Sequence, residues 1–254
     1  MKFFIITKKQ IMLCLALVVT VAVVSIGSAA TFAQGDRKLP IYCVETDKKQ
    51  VAISFDAAWG NDDTEQLISI LKEYDAPATF FVVGSWVDKY PESVKQLSDA
   101  GHQVQNHSNT HPYMSQLSTE QMKNELDSCN KKIEAITGNC PTLFRPPYGD
   151  YDNAVIDATA EMNMYPIQWD VDSLDWKDNA TPDSICKRVT SKVKNGSIVL
   201  FHNDADHTPA ALPTILKCLK DDGYEFVFIS DLIYKDNYEI IHDGTQCKIK
   251  DGAE

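Results

Sequence analysis

Basic residues are the minority charge in this sequence. There are 24 Lys and Arg against 36 Asp and Glu, which gives a net charge of −12 at neutral pH. Nucleic acids are bound by clustered Lys and Arg, so this imbalance argues against a nucleic-acid partner. It also argues against holding an anionic polymer by overall charge. Any polymeric substrate must therefore be gripped in a shaped groove.

Two further absences narrow the class of protein. No two cysteines have the CxxC spacing of a structural zinc site, and no repeat, low-complexity stretch or internal linker interrupts the chain. With 254 residues, 44% of them hydrophobic, the chain can bury a full core. We expect a single domain with short terminal segments.

The N-terminus differs in kind from the rest. Three lysines precede an apolar run over residues 11–27, and the small-residue stretch "SIGSAATFAQG" follows it. This pattern is typical of an export signal cleaved after Ala30 or Ala33, but the run is also nearly long enough to anchor the chain in a membrane. We expect an exported protein that is secreted, in the cell wall, or membrane-anchored facing outside. The predicted segments are a signal peptide or anchor (1–33), an extension (34–47), the domain (48–234) and a tail (235–254).

Six cysteines follow the predicted signal, and an even number in an exported chain permits up to three disulfides. Six cysteines allow fifteen pairings, which the sequence does not resolve. Cys43 and Cys247 are the leading pair, because they flank the domain at its two ends. Buried free thiols are the alternative.

Short apolar runs alternate with helix-like segments from residue 50 onward, a pattern that predicts an α/β fold with a parallel sheet, either doubly wound or closed into a barrel. The seven strand signals are "VAISF" (51–55), "ATFFVVG" (78–84), "HQVQN" (102–106), "TLFR" (142–145), "YPIQW" (165–169), "SIVLFH" (197–202) and "EFVFI" (225–229). In either architecture, functional groups belong just past the C-terminal ends of the strands.

Ionisable or polar residues recur at those strand ends. In chain order they are Asp56, His107 and His111, Arg145 and Tyr148, Asp170, Asp172 and Asp175, and His202. Each has an ordinary structural explanation alone, such as a helix cap or a surface ion pair. Their recurrence on successive strands predicts one shared site.

The segment "NHSNTHPYM" is the most metal-like part of the chain. His107 and His111 could present two imidazoles to one ion from a helical turn or a loop, and Pro112 favours the loop. With Asp56 nearby, metal-assisted hydrolysis is a sensible chemistry, because an ion acidifies bound water while a carboxylate accepts the proton.

Five motifs stand in order: "SFDAAWG", "HSNTH", "RPPYG", "DVDSLDW" and "LFH". Over residues 48–234 they resemble the polysaccharide deacetylases of carbohydrate esterase family 4, the chitooligosaccharide deacetylase homology domain. The resemblance implies a distorted (β/α) barrel of about seven parallel strands and metal-dependent removal of acetyl groups from N-acetylated sugars. The "FDxxWG" form of the first motif resembles the sporulation or cell-wall branch acting on peptidoglycan.

The resemblance also implies roles for individual residues. Asp56 matches the catalytic base, and Arg145 the arginine that orients it. His107 and His111 match the histidine ligands of a divalent metal, with zinc the first choice. The backbone N–H of Tyr148 would help to hold the oxyanion.

The remaining matched residues lie toward the end of the chain. Asp172 matches the carboxylate that pairs with His202, the group that would protonate the departing amine, and Asp175 is the second choice for that carboxylate. The expected substrate-binding side chains are Trp59, Trp176 and Leu200.

One position departs from the family pattern. The usual first motif has a second aspartate that ligates the metal, and this chain has Ala57 there. A carboxylate from "NDD", Asp62 or Asp63, is a candidate replacement. Two other functions therefore stay open: a glycan-binding pseudoenzyme with a lost or weak metal site, and a metalloesterase acting on acetylated xylan or small esters.

Overall fold

A curled, mostly parallel sheet organises residues 37–249, the part of the chain that this computed structural model describes. From Lys38 onward these residues form one compact unit. The strands are β1 (Cys43–Val44), β2 (Gln50–Ala57), β3 (Ala78–Val82), β4 (Gln103–Asn106), β5 (Leu143–Phe144), β6 (Tyr165–Pro166), β7 (Val171–Asp172), β8 (Ser197–His202), β9 (Glu225–Phe226), β10 (Tyr238–Ile240) and β11 (Thr245–Lys248).

The sheet runs in the order β10, β11, β1, β8, β2, β3, β4, β5, β6, with β7 beside β8 and β9 beside β2. The stretch from β8 to β6 is parallel throughout. β2 is central, and its Asp56 stands in register with Phe81 of β3 and His202 of β8. Strands buried on both faces need mainly apolar sequence, which is why β2, β3 and β8 are rich in hydrophobic residues.

The parallel part of the sheet curls until its two outer strands, β6 and β8, are joined by the N-terminal segment. Ile41 forms a parallel bridge with Ile167, just past β6, and β1 then pairs with β8. Gly196 permits this closure, because a Cβ there would lie 1.8 Å from the Val44 carbonyl oxygen. The expected distorted (β/α) barrel is therefore confirmed, and residues 41–44 complete it.

Helices connect the parallel strands and cover the outside of the sheet. They are α1 (Thr64–Glu73), α2 (Gly84–Lys89), α3 (Pro91–Asp99), α4 (Thr119–Thr137), α5 (Asn153–Glu161), α6 (Pro182–Thr190), α7 (Thr208–Asp221) and α8 (Ile229–Leu232). Residues typical of helix ends mark the bounds of two of them. Pro91 opens α3, Ser118 and Gln121 form a capping box at α4, and Gly138 ends α4 in the left-handed conformation.

All seven predicted strands are present, as β2, β3, β4, β5, β6, β8 and β9. The prediction missed β1, β7, β10 and β11. β1 and β7 are two-residue strands, and β10 and β11 form an antiparallel pair at the sheet edge. β1, β10 and β11 extend the sheet beyond the predicted domain boundaries at 48 and 234, which stay a prediction.

The expected Cys43–Cys247 disulfide is absent, and the six cysteines of residues 37–249 are all free thiols. β1 and β11 run parallel with Cys43 aligned to Thr245, so Cys247 lies two residues further along the neighbouring strand. The Cys43 thiol instead contacts the Thr245 hydroxyl, with 3.4 Å between Sγ and Oγ1. The alternative of unpaired thiols is the one that the structure contains.

No helix within residues 37–249 has the length and apolar character to cross a membrane. The predicted signal or anchor, including the apolar run over 11–27, lies outside the described residues.

Candidate active site

Asp170 does not join the other predicted site residues, because its carboxylate accepts the Ser197 hydroxyl and the Ile198 N–H at the start of β8. Six of the other eight residues predicted to act together line one cavity of about 650 Å³, which opens at the C-terminal ends of the parallel strands. Its walls are formed by Asp56, Ala58, Trp59, Val83, Ser85, His107, His111, Tyr148, Trp169, Asp172, Trp176, Leu200 and His202. Parallel strands bring their carboxyl ends to the same edge, which is how residues nearly 150 positions apart meet here.

Asp56 and Arg145 form a buried ion pair at the floor of this cavity. Arg145 Nη1 donates to Asp56 Oδ1 at 2.8 Å, and Nη2 donates to Ser54 Oγ at 2.9 Å and the Gln168 carbonyl at 3.2 Å. The Arg145 side chain is fully buried, with its guanidinium 4.1 Å from the Phe81 ring centroid. The predicted orienting arginine therefore does contact the predicted base.

The cationic surroundings keep Asp56 ionised. Burial alone would raise the pKa of Asp56, but His107 and Arg145 oppose it and leave the pKa below its ordinary value. Burial also lowers the pKa of His107, so this imidazole is neutral near pH 7. We therefore attribute the charge of Asp56 to Arg145, which holds it at 2.8 Å.

His107 and His111 lie on a loop after β4, as their neighbouring residues predicted. The chain turns sharply there, with Ser108 at φ 66° and His111 at φ 61°, and the Glu125 carboxylate accepts both the Asn109 and Thr110 N–H groups at 2.8 and 2.7 Å. The two ring centroids come within 5.0 Å. Burial, with a smaller contribution from His107, lowers the pKa of His111 to about 4.

The two imidazoles suit a divalent metal ion. His107 Nδ1 lies 2.7 Å from the Arg145 carbonyl oxygen, so Nδ1 carries the proton and Nε2 is an acceptor. That acceptor faces Asp56 Oδ2 across 3.5 Å, an arrangement of two acceptors that a cation between them would satisfy. Both rings are neutral, as ligation requires.

The donor set is nevertheless incomplete. Within residues 37–249 no group of three or more His, Cys, Asp or Glu side chains is arranged to hold one ion. Ala57, buried at 1% exposure, supplies no ligand. Asp63 does not replace it, because its carboxylate accepts the Asp204 N–H at 2.8 Å and does not line the cavity with the two histidines. His107 and His111 would need Asp56 or water to complete the coordination.

His202 pairs with Asp175, and the expectation that Asp172 would hold it is wrong. Asp175 Oδ1 lies 2.8 Å from His202 Nδ1, while Oδ2 accepts from the His202 N–H at 2.8 Å and the Thr208 hydroxyl at 2.7 Å. Asp172 Oδ1 instead accepts the Leu174 N–H at 2.8 Å. This turn, with Leu174 at φ 57°, carries the chain round so that the second-choice Asp175 meets the histidine.

Asp175 also sets the charge of the imidazole. Burial alone would lower the pKa of His202, but the hydrogen bond and the negative charge of Asp175 outweigh it and raise the pKa above its ordinary value. His202 and Asp56, which were both predicted from the sequence, therefore stand in register on neighbouring strands.

Aromatic side chains surround the cavity mouth. Within residues 37–249, Trp59, Trp176 and Tyr148 line the cavity while remaining about half exposed, and the ring of Tyr113 stacks on Tyr148 with centroids 4.3 Å apart. Exposed aromatic patches of this kind mark ligand-binding surfaces. Leu200, at 2% exposure, forms part of the apolar wall, so the three predicted substrate-binding residues lie together.

Several residues of the site were not predicted. Ser54 and Thr208 support Arg145 and Asp175, and Tyr113 extends the aromatic rim. Tyr113 directly follows the "THP" of the histidine motif and was the one that the sequence could have indicated.

The polysaccharide deacetylase family profile matches residues 44–167. A peptidoglycan-N-acetylglucosamine deacetylase of Bacillus cereus is 37% identical over 195 residues, which cover 75% of this chain and 91% of that protein. The protein YlxY of Bacillus subtilis is 38% identical over 194 residues, 76% of this chain. The chain spans 60% of YlxY and about 40% of longer peptidoglycan deacetylases.

Solved structures indicate the same family. A pseudoenzyme of carbohydrate esterase family 4 from Bacillus anthracis superposes with a TM-score of 0.73 at 36% identity, covering 77% of this chain and 69% of the other. A mutant of that pseudoenzyme with restored enzymatic activity gives a TM-score of 0.74 at 38% identity, covering 77% and 71%. By sequence, fold and site, the chain is a member of the polysaccharide deacetylase family.

Proposed function

We propose that this chain removes N-acetyl groups from N-acetylated sugars of the cell wall, with peptidoglycan the first-choice substrate, by metal-assisted amide hydrolysis. The observation that carries the proposal is the pair of opposed groups in one cavity. Arg145 keeps Asp56 ionised, and Asp175 raises the pKa of His202 above its ordinary value. Amide hydrolysis needs such a base for the water and such an acid for a poor leaving group.

In this reaction Asp56 accepts a proton from the attacking water, and Arg145 keeps the carboxylate oriented. His202 Nε2 donates a proton to the departing amine, because Nδ1 is engaged by Asp175. Leu200 and Trp176 supply apolar surface for the acetyl methyl group. The backbone N–H of Tyr148 is our candidate donor to the oxyanion. A divalent ion on His107 and His111 would acidify water and polarise the acetyl carbonyl.

We further propose that the protein is exported, so that it meets this substrate. The support comes from the sequence of residues 1–33 alone, with its lysines, apolar run and small-residue stretch. Retention of the apolar run over 11–27 would anchor the protein in a membrane facing outside. Fractionation of its native host, with N-terminal sequencing of the recovered protein, tests both outcomes.

Acetate release is the direct test of the activity. The full chain is incubated with peptidoglycan, chitooligosaccharide and acetylated xylan, each with a chelator and with added zinc or another divalent ion. We expect release from the N-acetylated glycans that depends on added metal. Release from xylan alone would indicate the metalloesterase instead, and no release from any substrate would contradict both enzymes.

A glycan-binding protein without turnover is the second candidate, and two observations favour it. Ala57 removes a metal ligand from the family pattern, and a related structure with a TM-score of 0.73 is described as a pseudoenzyme. The cavity and aromatic rim of the present chain would still hold a glycan. Retention of chitooligosaccharide by a chain that releases no acetate would support this function.

A further inference from the structure

Two loops at the cavity mouth are joined backbone to side chain. Asn203 Oδ1 accepts the Ala58 N–H at 3.2 Å, and the Asn203 amide donates to the Gly60 carbonyl. Asp204 Oδ2 accepts the Gly60 N–H at 3.0 Å. Asn203 and Asp204, directly after β8, thus grip the polypeptide on both sides of Trp59.

This grip is built at a structural cost. A Cβ on Gly60 would lie 2.2 Å from Asp204 Oδ2, so a side chain at this position would displace the Asp204 carboxylate. Asp204 itself adopts φ 55°, the left-handed region that non-glycine residues avoid, and its N–H donates to Asp63 Oδ2 at 2.8 Å. Residues held in such conformations concentrate at functional sites.

The loop that Asn203 and Asp204 hold carries Trp59, whose ring is not packed in the hydrophobic core. Trp59 is 47% exposed, yet its indole stacks on the His202 imidazole with centroids 5.3 Å apart and planes 15° from parallel. A half-exposed tryptophan has few packing contacts to fix it. Its place is set by its backbone, which is also anchored where the Trp86 indole N–H donates to the Gly60 carbonyl at 2.9 Å.

We propose that Asn203 and Asp204 are positioning residues that hold Trp59 against His202, so that the indole fixes the plane of the imidazole. Asp175 grips His202 through Nδ1, but one hydrogen bond leaves the ring free to tilt about it. The stacked indole removes that freedom by covering a ring face. The Nε2 atom is then presented to the cavity in one direction. The catalytic consequence rests on the proposed function, while the ring geometry does not.

Ring-current shifts measure the stack directly. The full chain has six histidines, so ¹³C-labelling of histidine gives a small set of imidazole signals, and His202→Gln identifies the signal of interest. We expect the His202 ring protons to be shifted upfield by the indole. Trp59→Ala should remove that shift, and Asp204→Ala should remove most of it because the Gly60 N–H loses its acceptor.

Two variants distinguish positioning from a general loss of structure. Asp204→Asn keeps a side-chain oxygen for the Gly60 N–H, so it should restore the upfield shift. Asp206→Asn changes the same charge two residues away, on an exposed side chain of the same loop, and should leave the shift unchanged. If Asp204→Ala does not fold, the nearly isosteric Asn203→Asp replaces it. It removes the amide that donates to the Gly60 carbonyl and should displace Trp59.

Turnover supplies the second readout. We expect kcat for acetate release to fall about 10-fold in Asp204→Ala and to recover in Asp204→Asn, since a misdirected acid loses part of its contribution. A folded Asp204→Ala chain that keeps the upfield shift would overturn the proposal. Absence of acetate release from the wild-type chain would defeat the proposed function alone, because the ring-current comparison still decides the positioning roles.

Discussion

His111 and His202 lie on opposite sides of Asp56, and their protonation equilibria are displaced in opposite directions. On the β4 side, burial lowers the pKa of His111 to about 4. On the β8 side, His202 is also partly buried, but Asp175 reverses the effect and raises the pKa. The difference is one carboxylate at 2.8 Å. It shows that burial alone makes a neutral ligand, whereas burial with a paired carboxylate makes an acid.

The two sides also differ in how complete they are. On the acid side, Asp175 is bonded to His202 and Thr208. On the side of the two imidazoles, Ala57 is buried where the family pattern has a carboxylate, and within residues 37–249 no third side chain completes a metal site. The departure from the family pattern therefore lies in the proposed metal site, whereas His202 keeps a hydrogen-bonded carboxylate.

Replacing the residue between the two sides should have the largest effect. Asp56→Asn removes the proton acceptor and should lower acetate release by about 10²-fold or more. It also leaves the fully buried Arg145 without its anionic partner, which should reduce the free energy of unfolding by roughly 3 to 5 kcal/mol. Turnover measured beside urea unfolding tests both. Near-native turnover in a folded variant would remove Asp56 from the mechanism.

The acid side should respond to Asp175 far more than to Asp172. Asp175→Asn loses the charge that raises the pKa of His202, so acetate release should fall about 10- to 100-fold and its alkaline limb should move to lower pH. Asp172→Asn is the matched control, because it makes the same chemical change three residues earlier at a carboxylate with no hydrogen bond to the imidazole, and acetate release should fall only a few-fold. Equal losses would contradict the assignment of Asp175.

The contrast between these two aspartates shows where sequence reasoning ends. Long apolar runs such as those of β2 and β8 were predicted, because a strand buried on both faces must be apolar along its length. The choice of Asp175 depended on a turn in which Leu174 takes a left-handed φ, and that conformation has no signal in "DVDSLDW". The strand pattern therefore predicted which segment reaches the site, but the conformation of the loop decides which of the two aspartates contacts His202.

Asn203 and Asp204 show a second limit. Their side chains hydrogen-bond to the backbone of residues 58–60, which every residue type provides. The residue types at positions 58–60 therefore give little indication of these contacts. Only Gly60 does, since any side chain there would collide with Asp204. Catalytic groups were predictable because their chemistry restricts residue type, and their supports were not because many polar residues could serve.

The ligand side should be repaired by restoring the missing carboxylate. Ala57→Asp restores the carboxylate that the family pattern has at this position, and zinc affinity should rise by at least about 10-fold. Without metal the variant should be less stable than wild type, because position 57 is buried. Calorimetric zinc titration of wild type, Ala57→Asp and His107→Ala measures this. Wild-type binding no tighter than that of His107→Ala would mean that the native chain has no metal site.

The smallest effect is the most direct view of the two histidines. NMR titration of the metal-free chain should show His111 protonating near pH 4 and His202 above its usual value of about 6.5.

The contributions of these two histidines to the free energy of unfolding change with pH in opposite directions. The contribution of His202 is fully present below pH 6.5 and is lost as the pH rises through its folded-state pKa. His111 destabilises the fold as the pH falls from about 6.5 toward 4, because the unfolded chain binds that proton first. In Asp175→Asn the two pKa values should approach one another from the His202 side alone. An unchanged His202 titration in that variant would show that Asp175 does not set the charge of the acid.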